Sequence, residues 1–251
     1  MDKRIGAQLY TVRDFTQNIE DFEETIKKVR DIGYKTVQIS ATGDIDPTEM
    51  RKICEKYGEE IICTHKSYDD YVNRIDEMID FHKKLGCTIA GLGSLVTPAK
   101  TVSNFKPYID KLNEITIKLK ENGISFAYHN HQFEFEKLDN GQTKMDYMIE
   151  HGNFEFIVDV YWLAYSGINP AEYIQKLGSR ATVIHYKDLA ITDGNITICE
   201  VGSGNLNWDA IIKASEEAGS KWAMVEQDTC PGNPFDSFEI SYKYLTKKGF
   251  I

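Results

Sequence analysis

The sequence predicts an α/β fold, a single (β/α)8 TIM barrel spanning residues 1–251. Three observations carry that prediction. Charged, helix-like segments close on Gly33, Gly58, Gly86, Gly123, Gly178, Gly219 and Gly249, and all but the last are followed within a few residues by an apolar, strand-like run. Glycine suits the left-handed residue just past a helix, so the repeat reads as consecutive βα units. The strand-like runs number eight, and no linker-like stretch divides a chain whose length is common for one such barrel. The competing architecture is an open doubly wound sheet. No GxGxxG follows the first strand, which disfavours a dinucleotide fold.

In chain order the strands are expected at 5–10, 36–40, 60–65, 88–92, 124–130, 154–159, 182–188 and 222–227. The first helix, 19–32, carries Phe22, Ile26, Val29 and Ile32 at helical spacing with Glu and Lys elsewhere. Asp46-Pro47-Thr48-Glu49 reads as a helix start: an N-cap, proline at the first helical position and a glutamate three after the cap. Asn169-Pro170-Ala171-Glu172 repeats that chemistry for a later helix. Further helices are expected over 71–85, 102–120, 145–151, 208–218 and 235–248.

Composition narrows the function. Hydrophobic residues at 41% and charged residues at 27% permit a packed core. The net charge of −10 argues against nucleic-acid binding, which needs basic groups to displace counterions. Five scattered cysteines without a CxxC pair fit reduced thiols better than a disulfide framework. The N-terminal residues run straight into a strand-like segment without a signal-peptide core, and no apolar run is long enough to span a membrane. The expectation is a cytoplasmic protein acting on a small molecule, with no membrane partner; a homo-oligomer is compatible with the sequence.

In a (β/α)8 barrel the active site lies at the C-terminal strand ends. The fifth strand runs into Tyr128-His129-Asn130-His131-Gln132-Phe133-Glu134-Phe135-Glu136, which is dense in imidazole and carboxylate. Asp159 ends the sixth strand, where its alternative role is to cap the next helix. Period-two alternation puts Val183, His185 and Lys187 on one face of the seventh. Glu226 closes the apolar eighth, where the alternative is a salt bridge to a lysine. The stretch 200–208 is either a plain turn or a source of backbone N–H groups for a ligand. Glu134, Asp159, His185 and Glu226 together offer three carboxylates and an imidazole, a donor set for Mn²⁺, Mg²⁺, Co²⁺ or Zn²⁺.

The residues 6–14, His129-Asn130-His131 with Phe133-Glu134-Phe135, Asp159-Val160-Tyr161-Trp162, His185-Tyr186-Lys187-Asp188, Val201-Gly202-Ser203-Gly204 and Val225-Glu226-Gln227-Asp228 resemble the xylose isomerase-like barrel family, the sugar phosphate isomerases/epimerases. The likeness runs from the first strand to the last. It implies a divalent metal held by Glu, Asp, His and Glu from strands five to eight. Asp159, His185 and Glu226 match the last three positions. Glu134 is assigned the first, with His131 as the alternative, because Tyr128 stands where ketose epimerases of the family end strand five in a glutamate.

The implied activity is metal-dependent isomerisation or epimerisation of a keto sugar or polyol through an enediolate-type intermediate. Glu134, Glu226, His129 and His131 are candidates to move the proton, and Lys187 to stabilise developing charge or a substrate phosphate. Tyr10, Phe133, Tyr161 and Trp162 are candidates to wall the pocket. The alternatives are a dehydratase or lyase acting on a keto-polyol or 3-keto-glycoside, and a non-catalytic sugar-binding barrel whose metal site has decayed. The family's endonuclease IV branch fits this chain poorly, with its six histidines and acidic charge.

Overall fold

The computed structural model of the protein describes residues 1–95 and 97–251. Eight parallel strands form the barrel: β1 (Ile5–Gln8), β2 (Thr36–Ile39), β3 (Glu60–Thr64), β4 (Ile89–Leu92), β5 (Ser125–His129), β6 (Glu155–Asp159), β7 (Ala181–Tyr186) and, after an inserted hairpin, β10 (Trp222–Val225). Their order, β3-β2-β1-β10-β7-β6-β5-β4, follows the chain around a ring. The seam between β3 and β4 is stitched beyond the strand ends, where Lys66 N–H donates to the Gly91 carbonyl at 2.9 Å and Gly93 N–H to the Lys66 carbonyl at 3.1 Å. Gly91 is required there: a Cβ would lie 2.0 Å from the Thr64 carbonyl oxygen.

The helices are α1 (Ile19–Ile32), α2 (Pro47–Tyr57), α3 (Tyr68–Asn73), α4 (Ile75–Leu85), α5 (Val102–Glu121), α6 (Lys144–His151), α7 (Val160–Tyr165), α8 (Pro170–Leu177), α9 (Trp208–Ala218) and α10 (Pro234–Lys247). Both expected proline-led starts are present, with Asp46 accepting from Thr48 and Glu49 N–H and Asn169 from Ala171 N–H. The single helix expected over 71–85 is two, because Arg74 has φ −134° and ψ 36° and ends the first turn set. The short helix α7 and the antiparallel pair β8 (Asp188–Thr192) and β9 (Asn195–Cys199) were not expected. The 188–199 stretch leaves the barrel as a hairpin that turns at Asp193-Gly194, both at positive φ.

Ile62, Cys63, Ile89, Ala127, Ile157, Val183 and Met224 pack into a small apolar cluster of their own, the plug of the barrel interior. The larger core lies between the strands and the helices. Because strand side chains alternate, a residue two beyond an inward-facing plug residue rises on the same face toward the C-terminal mouth. That step leads from Ala127 to His129, Ile157 to Asp159, Val183 to His185 and Met224 to Glu226. The plug is thus the floor of the site.

Candidate active site

His129, Asp159, His185 and Glu226, from four neighbouring strands or strand ends, bring one donor atom each to within 4.8 Å of one another, and all four residues are buried. Each is held from behind. Asp159 N-caps α7: its Oδ1 accepts from Tyr161 N–H at 2.9 Å and Trp162 N–H at 3.2 Å. The Asn130 side chain clamps its backbone, accepting from Asp159 N–H at 3.0 Å and donating to its carbonyl at 3.4 Å. The helix-capping alternative for Asp159 is therefore realised by one oxygen while the other, Oδ2, turns into the cluster.

The imidazole of His129 is oriented by a backbone partner. His129 Nδ1 lies 3.0 Å from the Gly93 carbonyl, which only accepts, so the ring proton sits on Nδ1. Its Nε2 is buried and without a hydrogen-bond partner among the described residues, 3.4 Å from Asp159 Oδ2 and 4.0 Å from Glu226 Oε2, where it offers a lone pair to a cation once deprotonated. His185 Nδ1 lies 2.9 Å from Glu226 Oε2 and its Nε2 2.9 Å from Gln38 Oε1, so a cation at Nδ1 would take the place of the proton shared with Glu226 and leave Nε2 to donate to Gln38. Two acceptors this close repel unless a proton or a cation lies between them. Nitrogens of two imidazoles and oxygens of two carboxylates face one small volume, and Asp159 Oδ2 accepts no hydrogen bond there. This donor set fits a divalent cation, with the Gly93 carbonyl behind His129 and the Gln38 side chain behind His185.

Lys187 is the one ammonium in the cluster. Its Nζ is 3.3 Å from Asp159 Oδ2, 3.4 Å from Glu226 Oε2 and 2.7 Å from Asp228 Oδ2. The salt-bridge alternative for Glu226 is thus present alongside its place in the cluster. Burial works against charge on every one of these groups. Lys187 and His185 outweigh it at Glu226, whose carboxyl is held well below the usual range; Lys187 and His129 do so at Asp159, also held low. Burial also opposes charge on His129, but the Asp159 and Glu226 carboxylates hold its pKa above the ordinary imidazole value.

Above the cluster opens a cavity of about 620 Å³, lined among others by Tyr10, His65, Lys66, His131, Trp162 and Asp228. Of the aromatics expected to wall it, Tyr10 and Trp162 do so, while Phe133 stacks on His131 at 5.1 Å between ring centres. Burial depresses the pKa of His131 to about 3 and that of His65 well below the ordinary value, so both rings are neutral near pH 7. His65 is also locked. Gln8 Oε1 accepts from Tyr10 N–H at 3.3 Å, so the Gln8 amide nitrogen donates to His65 Nδ1 at 3.3 Å and the ring proton sits on Nε2.

Two expectations change in this geometry. Glu134 is not part of the cluster with Asp159, His185 and Glu226; His129 takes that place. A short 3-10 turn, Phe133–Phe135, folds Glu134 back so that its carboxylate accepts from Tyr128 Oη at 2.5 Å and from His131 N–H at 2.7 Å. Burial lifts its pKa to about 7. Tyr128 is thus the partner that holds Glu134 down. The stretch 200–208 offers no free N–H groups from its glycines either. Gly202 and Gly204 N–H both donate to Asp188 Oδ2, at 2.8 and 3.1 Å.

Gln8, Gln38, His65, Asn130 and Asp228 were not among the candidates. The signal for the first three was the same alternation that marks His185: Gln8 and Gln38 stand at strand ends and His65 two residues beyond Cys63 of the plug. Asn130 has the opposite parity to Ala127 and His129, and Asp228 lies three residues past β10, so alternation marks neither.

The family model described as xylose isomerase-like TIM barrel matches residues 26–247. The chain is 22% identical to an inosose dehydratase of Clostridium perfringens over 90% of each chain. It superposes on a sugar phosphate isomerase/epimerase from Parabacteroides distasonis with a TM-score of 0.81 at 25% identity, covering 98% of this chain and 99% of that one. It also superposes on a xylose isomerase-like TIM barrel protein of Mycobacterium smegmatis, solved in complex with magnesium, with a TM-score of 0.74 at 14% identity, covering 98% and 97%. With eight parallel strands in ring order and a family match over most of its length, the chain belongs to the xylose isomerase-like TIM barrel family.

Proposed function

We propose that the protein is a divalent-metal-dependent enzyme that isomerises or epimerises a keto sugar or polyol by taking a proton from the carbon beside a carbonyl. The observation that carries this reading is the set of four buried, inward-facing donor residues, two imidazoles and two carboxylates, whose ligand atoms lie within 4.8 Å of one another. His129 Nε2, Asp159 Oδ2, His185 Nδ1 and Glu226 Oε2 would hold the ion. A divalent ion there supplies a Lewis acid that polarises the carbonyl and acidifies the neighbouring C–H. The magnesium of the Mycobacterium smegmatis relative supports the same chemistry, with the metal left among Mn²⁺, Mg²⁺, Co²⁺ and Zn²⁺.

The chain's own residues do the rest. Trp162 and Tyr10 wall the cavity against water. His65 directs its Nε2–H at a substrate oxygen, since Gln8 fixes that tautomer. A base facing the cavity takes the proton from carbon; His131 lines the cavity and Glu134 positions it through the bond to its backbone N–H, but burial leaves that ring a weak base. The enediolate-type intermediate then takes a proton back on the same or the adjacent carbon.

A second reading, a dehydratase that expels a hydroxyl from the same intermediate, is favoured by the inosose dehydratases among the curated relatives. The decayed-site reading loses its motive, because His129 stands where the tyrosine at 128 had suggested a lost ligand. The test is turnover of candidate keto sugars and inososes in D₂O with added Mn²⁺. An isomerase or epimerase places solvent deuterium at the reacting carbon; a dehydratase releases a dehydrated keto product. Transfer of a substrate deuterium to product with no solvent exchange would contradict proton abstraction by an exchangeable base.

A further inference from the structure

We propose that Lys187 is a built-in competitor for the metal: its ammonium neutralises Asp159 and Glu226 in the metal-free protein and withdraws to Asp228 when the ion is held. The inference rests on the metal reading above and concerns how this chain sets its affinity. The oxygens nearest Lys187 Nζ on those two residues are Asp159 Oδ2 and Glu226 Oε2, the same two that face the ring nitrogens of His129 and His185. Two cations cannot both sit on that pair of oxygens without strong repulsion, since like charges a few ångströms apart in a site with little water interact far more than in bulk.

Asp228 supplies the exit. Its Oδ2 is the nearest of the three carboxylates to Nζ, at 2.7 Å, and it is not among the four clustered donors. Its side chain is 25% exposed at the cavity, whereas Lys187 is 1% exposed. With neutral imidazoles, three carboxylates are balanced by one ammonium and one divalent ion together, provided the two cations divide them. The lysine stem needs to swing only its terminal atoms, between the faces of Trp162 and Tyr161, whose ring centres lie 5.1 and 5.6 Å from Nζ. Without Asp228, Lys187 would be left on the metal's oxygens.

The experiment is a direct titration of the purified full chain with Mn²⁺ alone, free ion being read by electron paramagnetic resonance, in a double-mutant cycle. Lys187→Met should tighten Mn²⁺ binding about tenfold or more, the scale of removing a charge at these distances. Asp228→Asn should weaken it severalfold in the parent, yet change it by less than about twofold in the Lys187→Met background, because it acts through the lysine. Lys187→Gln, run in the same cycle, serves if the methionine variant melts early. Equal weakening by Asp228→Asn in both backgrounds would reduce its role to general charge and overturn the proposal, as would a lysine variant that binds no tighter. If the parent and every variant bind neither Mn²⁺ nor Co²⁺, Zn²⁺ or Mg²⁺, the metal reading falls and this inference with it.

Discussion

Asp188 and Asp159 are both fully buried carboxylates at the mouth of the barrel, and their surroundings are opposite. Asp188 accepts from five N–H groups: Leu189, Gly202, Gly204 and Leu206 of the backbone and the Trp208 indole, the last at 2.6 Å. It ties the end of β7, the hairpin and the start of α9 into one knot, and Gly204 is needed because a Cβ would lie 2.4 Å from Asp188 Oδ1. Asp159 spends one oxygen on a helix cap and keeps the other, with Glu226, His129 and His185 beside it, free of hydrogen-bond donors except a lysine at ion-pair distance. A saturated buried carboxylate is scaffold. An undersaturated one, held rigid from behind, is poised for a ligand.

The widest separation of the two should come from swapping carboxylate for amide or alanine. Asp159→Asn is expected to lower turnover roughly a hundredfold or more, at least the effect of disturbing a metal's outer shell, with thermal stability little changed. Asp188→Ala is expected to do the reverse first. It strands several buried donors, each costing about 1–3 kcal/mol, so melting should fall by roughly 10 °C, measurable by calorimetry without any substrate.

A finer version of the same contrast lies two residues apart. Glu134 is buried against Tyr128 and the His131 N–H, whereas Glu136 pairs at the surface with Lys100 and Lys144, which hold its pKa at about 2. Glu134→Gln should lower turnover roughly ten- to a hundredfold through the position of His131, and Glu136→Gln should leave it within about twofold, as surface pairs contribute little. Equal effects in a steady-state assay would erase the distinction drawn here.

The smallest effect concerns the opposite pole, at the start of β3. Glu59 is 4% exposed and neither carboxylate oxygen has a partner among the described residues. Burial raises its pKa from 4.5 to about 8. A carboxyl whose folded pKa is raised carries no penalty below its unfolded pKa; the penalty grows as pH climbs and is complete above the folded value. Glu59→Gln should therefore stabilise the protein by about 1–3 kcal/mol at pH 8 and by progressively less toward pH 5, read from denaturant melts across that window.

Much of the barrel and part of its mouth were legible in the chain. Glycine after helix and apolar run after glycine are local, and both survive folding; so does the alternation that raises Asp159, His185 and Glu226 above Ile157, Val183 and Met224. The same alternation raises His129 above Ala127, and it pointed to His129 more directly than to Glu134, which lies off the strand. What misled was a motif spacing: the turn that folds Glu134 onto Tyr128 is a through-space contact that no periodicity encodes. The hairpin leaves a local trace, Asp193-Gly194 between alternating residues. The Asp188 knot left none, since its five donors are gathered from three separate segments.

The central claim is that His129, rather than Glu134, completes a cation site with Asp159, His185 and Glu226. Crystals grown with Mn²⁺ test it most directly, through an anomalous difference map at the manganese edge. One peak is expected, bounded by His129 Nε2, Asp159 Oδ2, His185 Nδ1 and Glu226 Oε2, at distances of about 2.0–2.3 Å. A peak coordinated by Glu134 with His129 left out, or no peak at the barrel mouth at saturating Mn²⁺, would contradict it.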